Sequence, residues 1–125
     1  MKDQKQAQTI QSAGEQIRRQ VMGDDFVDLA LANTDDFSVP LQNYINEHGW
    51  GATWQRSGLD LKTRSLITIA MLTALKAPNE LKGHICGALR NGATVSEIQE
   101  VLLHSAVYCG APATQEAFRA AKEVL

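Results

Sequence analysis

Residues 61–76 read LKTRSLITIAMLTALK and form the longest apolar segment of the chain. Their apolar side chains recur with helical spacing and leave little polar face, so we expect a helix that is buried at the centre of the fold. Asp60 precedes this helix and is suited to cap its first turn. Pro78 follows it closely and predicts where it ends.

The remaining segments show the same period of three to four residues, and none alternates convincingly with period two. The sequence therefore predicts an all-α, single-domain helical bundle that spans residues 1–125. Further helices are expected over residues 4–22, from Asp24, from the N-cap Ser38 to about Gly49, from the N-cap Asn79 to Asn91, from the capping box Thr94-Val95-Ser96-Glu97, and from Pro112.

Composition narrows the functional classes. The chain is 44% hydrophobic and 21% charged with a net charge of -2, which is typical of a soluble globular protein and does not favour nucleic acid binding. No apolar segment reaches membrane-spanning length and no secretory signal is recognisable, so we expect a cytoplasmic protein without a membrane partner. The two cysteines, Cys86 and Cys109, form no CxxC pair, and we expect them to be idle or buried thiols.

The helix expected over residues 79–91 carries the most distinctive polar pair. Glu80 and His84 lie four residues apart and therefore share a face. Gly83 and Gly87 lie near the same line, and each costs roughly 1 kcal/mol relative to alanine, which suggests close approach by another helix or by a small ligand. Pairs with this spacing are also common on exposed helices, so a structural role stays open. Core spacing on the opposite side involves Leu81, Ile85 and Leu89.

Two other positions allow a functional and a structural interpretation. Trp54 and Arg56 lie in the glycine-containing segment 50–60, where an indole and a guanidinium would suit the wall of a pocket for a small carboxylate. The local sequence favours the alternative that the segment is a loop anchored by its tryptophans, with Arg56 facing water. Arg64 needs a carboxylate, a carbonyl or an anion if it is buried, but its position in the first turn also allows it to reach solvent.

Several familiar chemistries find no support. No serine lies in a nucleophile elbow, and no glycine-rich loop between a strand and a helix is present to bind phosphates. The three histidines, His48, His84 and His104, are far apart in sequence and form no helical pair. We therefore predict no metal site.

Six segments, in order, closely resemble the carboxymuconolactone decarboxylase family. They are residues 50–59 (WGATWQRSGL), 63–66 (TRSL), 80–84 (ELKGH), 91–92 (NG), 97–101 (EIQEV) and 108–113 (YCGAPA). The resemblance implies a helical bundle of the alkylhydroperoxidase D-like type, assembled as a homo-oligomer that is commonly a hexamer, with no cofactor. It also implies conversion of 4-carboxymuconolactone to 3-oxoadipate enol-lactone in the protocatechuate branch of aromatic degradation.

The resemblance assigns site residues by position. Glu80 and His84 match the family's catalytic Glu-x-x-x-His, and Trp54, Arg56 and Arg64 match its substrate-binding segments. His84 would deliver a proton, because an ordinary imidazole titrates near neutral pH, and Glu80 would orient it and favour its cationic form. From the next helix, His104 and Tyr108 are candidates to close the site, with structural roles equally open. We expect the site to be completed at a subunit interface.

Two departures separate this chain from the pattern of close family members. Ser57 replaces the proline of Arg-Pro-Gly-Leu, and Cys86 replaces the arginine of His-x-Arg. The chain could therefore act on a related lactone acid, or bind small acids without converting them. A thiol peroxidase is less favoured, because Glu80 stands where the alkylhydroperoxidase D-like branch has the second cysteine of its Cys-x-x-Cys.

Overall fold

The chain is helical along most of its length. The computed structural model describes the backbone of residues 2–125 and the side chains from Gln11 onward. No β-strand occurs within residues 2–125, which confirms the predicted all-α fold, and no helix in this range is long and apolar enough to cross a membrane. The elements are α1 (Lys2–Met22), α2 (Asp24–Ala32), α3 (Val39–Tyr44), a π-helix (Ile45–Thr53), α4 (Leu61–Ala74), α5 (Pro78–Arg90), α6 (Val95–Cys109) and α7 (Ala111–Val124).

The internal contacts divide these elements into two units, Met1–Leu59 and Asp60–Leu125. The first unit contains α1 to α3 and the π-helix, and the second contains α4 to α7. The single-domain organisation expected from chain length stays a prediction. Each unit is described by itself below.

In the first unit, α1 packs against the π-helix at Gly14. A Cβ atom at this position would collide with the backbone carbonyl of Asn46 and would lie 3.0 Å from the backbone nitrogen of Gly51. Only glycine therefore permits this close approach. The apolar residues of α1 recur with a spacing of three to four at Ala7, Ile10, Gly14, Ile17 and Val21. Val21 is fully buried, whereas the side chains of Ala7 and Ile10 lie outside the described residues.

The helix that we expected to end near Gly49 instead continues as a π-helix to Thr53. The backbone N–H of Trp54 donates to the carbonyl of Gly49 over 2.9 Å, and the hydroxyl of Thr53 donates to the carbonyl of His48 over 2.7 Å. The first is a backbone bond that spans five residues, which is the wider turn of a π-helix, and the second is a side-chain bond across the same turn. The predicted stop was wrong because these bonds carry the helix past Gly49.

In the second unit, α4 packs against α5, α6 and α7. The prediction that α4 is buried all round was wrong. Ile69 is fully buried, but Met71 is 60% exposed and Leu75 74% exposed. Part of the apolar surface of this helix is therefore not covered by the rest of the chain. The core of the unit comprises Ile69, Leu81, Ile85, Ala88, Ala93, Ile98, Leu102, Ala117, Ala120 and Ala121.

The start and the inner face of α5 differ slightly from the prediction. Ala77, rather than Asn79, precedes the first helical residue, because Pro78 occupies the first turn, where its missing N–H is not needed. Ala88 is fully buried, whereas Leu89 is 37% exposed and does not belong to the core face. The predicted capping box that opens α6 is confirmed: Thr94 and Glu97 exchange hydrogen bonds of 3.0 Å.

Both α4 and α5 end in a turn in which the second residue after the helix has a positive φ angle. This residue is Gly92 after α5, with φ of +95°, but Lys76 after α4, with φ of +54°. The same pattern of backbone hydrogen bonds closes both turns. After α4, the N–H of Lys76 donates to the carbonyl of Thr73 and that of Ala77 to the carbonyl of Leu72; after α5, the N–H of Gly92 donates to the carbonyl of Leu89 and that of Ala93 to the carbonyl of Ala88.

Candidate functional site

Helix α5 presents Glu80 and His84 on one face. Glu80 lies in the first turn, where the helix dipole favours a carboxylate, and its side chain is exposed. His84 is half-buried one turn later. Leu81 and Ile85 are 1% and 0% exposed and fix the helix against the core, so the polar pair is held on a rigid element.

Burial dominates the electrostatics of His84. It lowers the pKa of the imidazole from the ordinary 6.5 to about 4, and the nearby charge of Glu80 opposes this effect by raising the pKa. The predicted direction of the Glu80 effect is therefore present, but burial outweighs it. Burial therefore favours the neutral imidazole near neutral pH, and the role of His84 as proton donor, inferred from the unperturbed pKa, stays a prediction.

The small residues on this helix have a packing role. Gly87 and Ala88 are buried, and α5 contacts α4 and α7 along its length. Of the two explanations for the glycines, close approach of another helix accounts for Gly87. Gly83 is half-buried and lies beside His84 in sequence, so it leaves little side-chain bulk next to the imidazole.

Arg64 lies half-buried in the first part of α4, the helix that packs against α5. Asp60 caps this helix by accepting a hydrogen bond of 2.7 Å from the backbone N–H of Thr63, as predicted. The next residue, Ser65, is fully buried and accepts a hydrogen bond of 2.9 Å from the side-chain amide of Asn91. The backbone that carries Arg64 is thus fixed on both sides.

His104 and Tyr108 occupy the outer face of α6. Both are exposed, and their ring centroids lie 5.3 Å apart. His104 faces a groove of about 650 Å³ between α4 and α6 that contains no residue of α5. The structure therefore groups His104 with this groove rather than with Glu80 and His84. The groove is lined by Thr63, Leu66, Ile67, Ala70, Glu100, Val101, Leu103 and His104.

Glu100 was not among our predicted site residues. It precedes His104 by four residues and lines the same groove. Glu100 and His104 have the same four-residue spacing as Glu80 and His84, so this spacing alone indicates the second pair as well.

Trp54 and Arg56 belong to the first unit. Trp50 is 6% exposed and stacks on Trp54, with ring centroids 4.8 Å apart and an angle of 27° between the rings. Arg56 is exposed just after the π-helix. The tryptophans therefore anchor this segment, and the roles of Trp54 and Arg56 in substrate binding stay predictions.

Among the described residues, neither the two thiols nor the metal-binding residue types form a redox or metal site. Cys86 and Cys109 are both free and half-buried. Among the residues whose side chains the structure describes, no three His, Cys, Asp or Glu side chains are grouped so that they could hold a metal ion.

Comparison with known proteins identifies the family to which this chain is similar. The model of the carboxymuconolactone decarboxylase family matches residues 40–123. The nitrosuccinic acid decarboxylase npaB of Metarhizium robertsii is 47% identical over 104 residues, which cover 83% of this chain and 73% of the relative. The 4-carboxymuconolactone decarboxylase of Acinetobacter baylyi is 41% identical over 111 residues, which cover 89% of this chain and 83% of the relative.

A third relative, an uncharacterized 15.0 kDa protein of Paracoccus denitrificans, is 41% identical over 81 residues, which cover 62% of this chain and 60% of the relative. The family match extends over more than half of the chain and includes α4, α5 and α6. The chain belongs to the carboxymuconolactone decarboxylase family.

Proposed function

We propose that this protein is a cofactor-free carboxy-lyase that removes carbon dioxide from a small dicarboxylic acid, with His84 and Glu80 as its catalytic pair. The decarboxylase relatives support the reaction class. The observation that carries the site assignment is the Glu80 and His84 face of α5, where a half-buried imidazole lies one turn from an exposed carboxylate.

The leading substrate is 4-carboxymuconolactone, which would be converted to 3-oxoadipate enol-lactone. Breaking the bond to the carboxylate releases carbon dioxide and leaves an electron pair that delocalises onto the lactone carbonyl oxygen as a dienolate. A proton then adds to carbon. The protein must stabilise the oxyanion and deliver the proton, which are the tasks of a hydrogen-bond donor and a general acid.

Nitrosuccinic acid is the second candidate, because the relative named for it is 47% identical to this chain. Loss of the carboxylate next to the nitro group leaves a nitronate, which is also protonated on carbon. Both substrates therefore have a second carboxylate and an electron-withdrawing group that takes up the charge. Cys86, which replaces an arginine of the family pattern, is the residue that we expect to influence the choice between them.

His84 is neutral in the protein alone, so it needs a proton before it can act as the acid. A dianionic substrate supplies the reason for proton uptake, because negative charge beside a buried imidazole raises its pKa. We propose that His84 takes up a proton as the substrate binds and transfers it to carbon. In the dienolate from 4-carboxymuconolactone this is the carbon next to the lactone carbonyl, which gives the enol-lactone; in the nitronate from nitrosuccinate it is the carbon that bears the nitro group. Glu80 raises the pKa in the same direction and orients the ring.

Arg64 is proposed to bind the carboxylate that is retained, since a guanidinium matches a carboxylate in shape and charge. Trp54 and Arg56, which belong to the first unit, stay proposed substrate-binding residues on the resemblance to the family alone. His104 is proposed to contact the substrate through the groove beside α6, and Tyr108, whose ring lies next to that of His104, stays a proposed substrate-binding residue.

A homo-oligomer, expected to be a hexamer, forms part of the proposal. The outer face of α4 and α6 is apolar, and Val107 on α6 is 76% exposed. Covering such a face is a common reason for subunit association. We name this surface the α4–α6 face; it comprises Ile67, Met71, Leu75, Leu103 and Val107.

Replacing Met71 with glutamate should reduce the subunit number in sedimentation experiments, whereas Gln99→Glu, on an exposed position of α6, should not.

The first experiment presents the purified protein with enzymatically generated 4-carboxymuconolactone and, separately, with nitrosuccinate, and follows substrate loss and carbon dioxide release. We expect turnover of at least one substrate. His84→Asn and Glu80→Gln should lower kcat/KM by about 10²-fold or more, the usual contribution of a general acid. His48→Asn, a replacement of an exposed histidine in the first unit, is the matched control.

Three results would contradict parts of the proposal. Turnover that survives His84→Asn would remove His84 from the mechanism while keeping the reaction. Loss of activity in a variant with both cysteines replaced by serine would favour thiol chemistry instead. Saturable binding of both acids without turnover would favour the binding module. Cys86→Arg should shift the kcat/KM ratio toward 4-carboxymuconolactone if this position selects the substrate.

A further inference from the structure

A second groove lies between α6 and α7, away from the proposed catalytic pair. It has a volume of about 490 Å³, within the range of small-molecule sites. Its apolar wall includes Phe118 and Ala106, and it shares no residue with the groove beside His104. The lining consists of Ala106, Ala111, Thr114, Gln115, Phe118, Arg119 and Lys122.

The charged residues of this lining are all cationic. Arg119 and Lys122 lie three residues apart on α7 and both line the groove. The acidic residues of the same helix do not line the groove: Glu116 lines a different cleft, and Glu123 forms an ion pair with Lys82 of α5. Lys122 and Phe118 also line a neighbouring cleft between α6 and α7. The helix therefore separates its charges, and the groove has a positive potential that favours an anion.

A buried hydroxyl points to the same conclusion. Thr114 is 6% exposed and lines the groove, and its hydroxyl has no hydrogen-bond partner among the described residues. Other buried hydroxyls in this unit are satisfied: those of Thr73 and Ser105 each donate 2.8 Å hydrogen bonds to the carbonyl four residues earlier. Because an unsatisfied buried polar group is costly, the hydroxyl of Thr114 requires an explanation.

The start of α7 adds a third contribution. The helix is 14 residues long, and no side chain caps its N-terminus. Pro112 has no N–H, and the N–H of Thr114 donates to the carbonyl of Gly110 over 3.3 Å, so the N–H groups of Ala111 and Ala113 form the positive end of the helix dipole near Thr114. Hydroxyl, backbone N–H groups and two cations all favour a negatively charged ligand.

We propose that the groove between α6 and α7 binds a small organic carboxylate with an apolar body. The carboxylate interacts with Arg119, Lys122 and the hydroxyl of Thr114, and the apolar body packs against Phe118. This site is separate from the proposed catalytic pair, so its occupation does not depend on the decarboxylase assignment.

The test uses benzoate as the charged probe and benzamide as its neutral counterpart, in NMR titrations of the full chain. We expect saturable shifts of backbone amides of α6 and α7 with benzoate and much weaker shifts with benzamide. The double variant Arg119→Gln, Lys122→Gln should weaken benzoate binding by about tenfold or more, the equivalent of one charge-assisted hydrogen bond. Arg90→Gln removes an exposed arginine of α5 and should leave binding unchanged.

Thr114→Val separates a binding role from a structural one. Removing an unsatisfied buried hydroxyl should raise Tm, whereas removing a ligand contact should weaken benzoate binding by about threefold to tenfold. The proposal requires both changes in the same variant. A raised Tm with unchanged affinity, equal binding of benzoate and benzamide, or no saturable binding at all would each overturn it.

Discussion

The side-chain amide of Asn91 donates a 2.9 Å hydrogen bond to the hydroxyl of Ser65, and this bond joins the end of α5 to the first turns of α4. The same amide lies 3.4 Å from the carbonyl oxygen of Leu61. Ser65 is fully buried and directly follows Arg64, so Asn91 fixes the part of α4 that carries this arginine. The contact thereby connects the helix of His84 with that of a proposed substrate-binding residue.

Asn91→Ala should lower the free energy of unfolding by about 1–2 kcal/mol, because it leaves the buried hydroxyl of Ser65 without this donor. Ser65→Ala should cost less, because the amide of Asn91 that it leaves behind is only half-buried and also lies 3.4 Å from the carbonyl oxygen of Leu61. Urea unfolding of both single variants and the double variant gives the coupling energy, which we expect to be about 0.5–1.5 kcal/mol. Additive effects would show that the bond contributes nothing. Asn79→Ala, on an exposed position of α5, is the control.

The lowered pKa of His84 predicts a loss of stability in mild acid. The unfolded chain, with an ordinary imidazole pKa near 6.5, takes up a proton before the folded chain, whose His84 has a pKa of about 4. The contribution of neutral His84 to the free energy of unfolding is therefore fully present above pH 6.5. It is lost as the pH falls toward 4, and the loss amounts to about 2–3 kcal/mol at most. A His84→Gln variant should lack this component in unfolding experiments across that range.

An NMR titration of the free protein tests the same group directly. The imidazole resonances of His84 should titrate near pH 4, and Glu80→Gln should lower the pKa further because Glu80 raises it. Adding a slowly reacting dicarboxylate should move the titration toward neutral pH. A pKa near 6.5 in the free protein would contradict the burial argument.

The two turns after α4 and α5 predict substitutions of opposite sign. Lys76 adopts a φ of +54°, which favours glycine, so Lys76→Gly should stabilise the protein by about 0.5–1 kcal/mol. Gly92→Ala places a side chain at a φ of +95° and should destabilise it by about 1–2 kcal/mol. Thermal unfolding of both variants measures the difference. Equal shifts in the same direction would show that backbone strain does not decide these positions.

Gly14→Ala should destabilise the first unit by about 1–3 kcal/mol, the usual cost of overpacking. The added methyl group meets the backbone of the π-helix, which cannot move aside as a flexible side chain can. Gly58→Ala is the matched control, because a Cβ atom there has no neighbour within 4 Å. Comparable Tm values for both variants would mean that α1 and the π-helix separate easily.

Helical periodicity, caps and proline positions determined much of the fold in advance. The capping box at Thr94 and the cap at Asp60 depend on neighbours within a few residues, and both are found in the structure. The pairing of Glu80 with His84 is equally local, because four residues of helix bring any such pair to one face. These features needed no knowledge of packing.

Tertiary structure decided what local pattern could not. The π-helix that extends to Thr53 packs against α1 at Gly14, a contact between segments far apart in sequence. The pKa of His84 depends on how much of the imidazole its neighbours cover, and the exposure of Met71 depends on which face of α4 meets the other helices. By itself, then, the sequence determined most of the helices, the caps at Asp60 and Thr94 and the spacing of the polar pair, because these follow from bonds within one or two turns. Burial arises only when distant segments pack, and so the packing decided the direction in which the pKa of His84 shifts and which apolar face remained exposed.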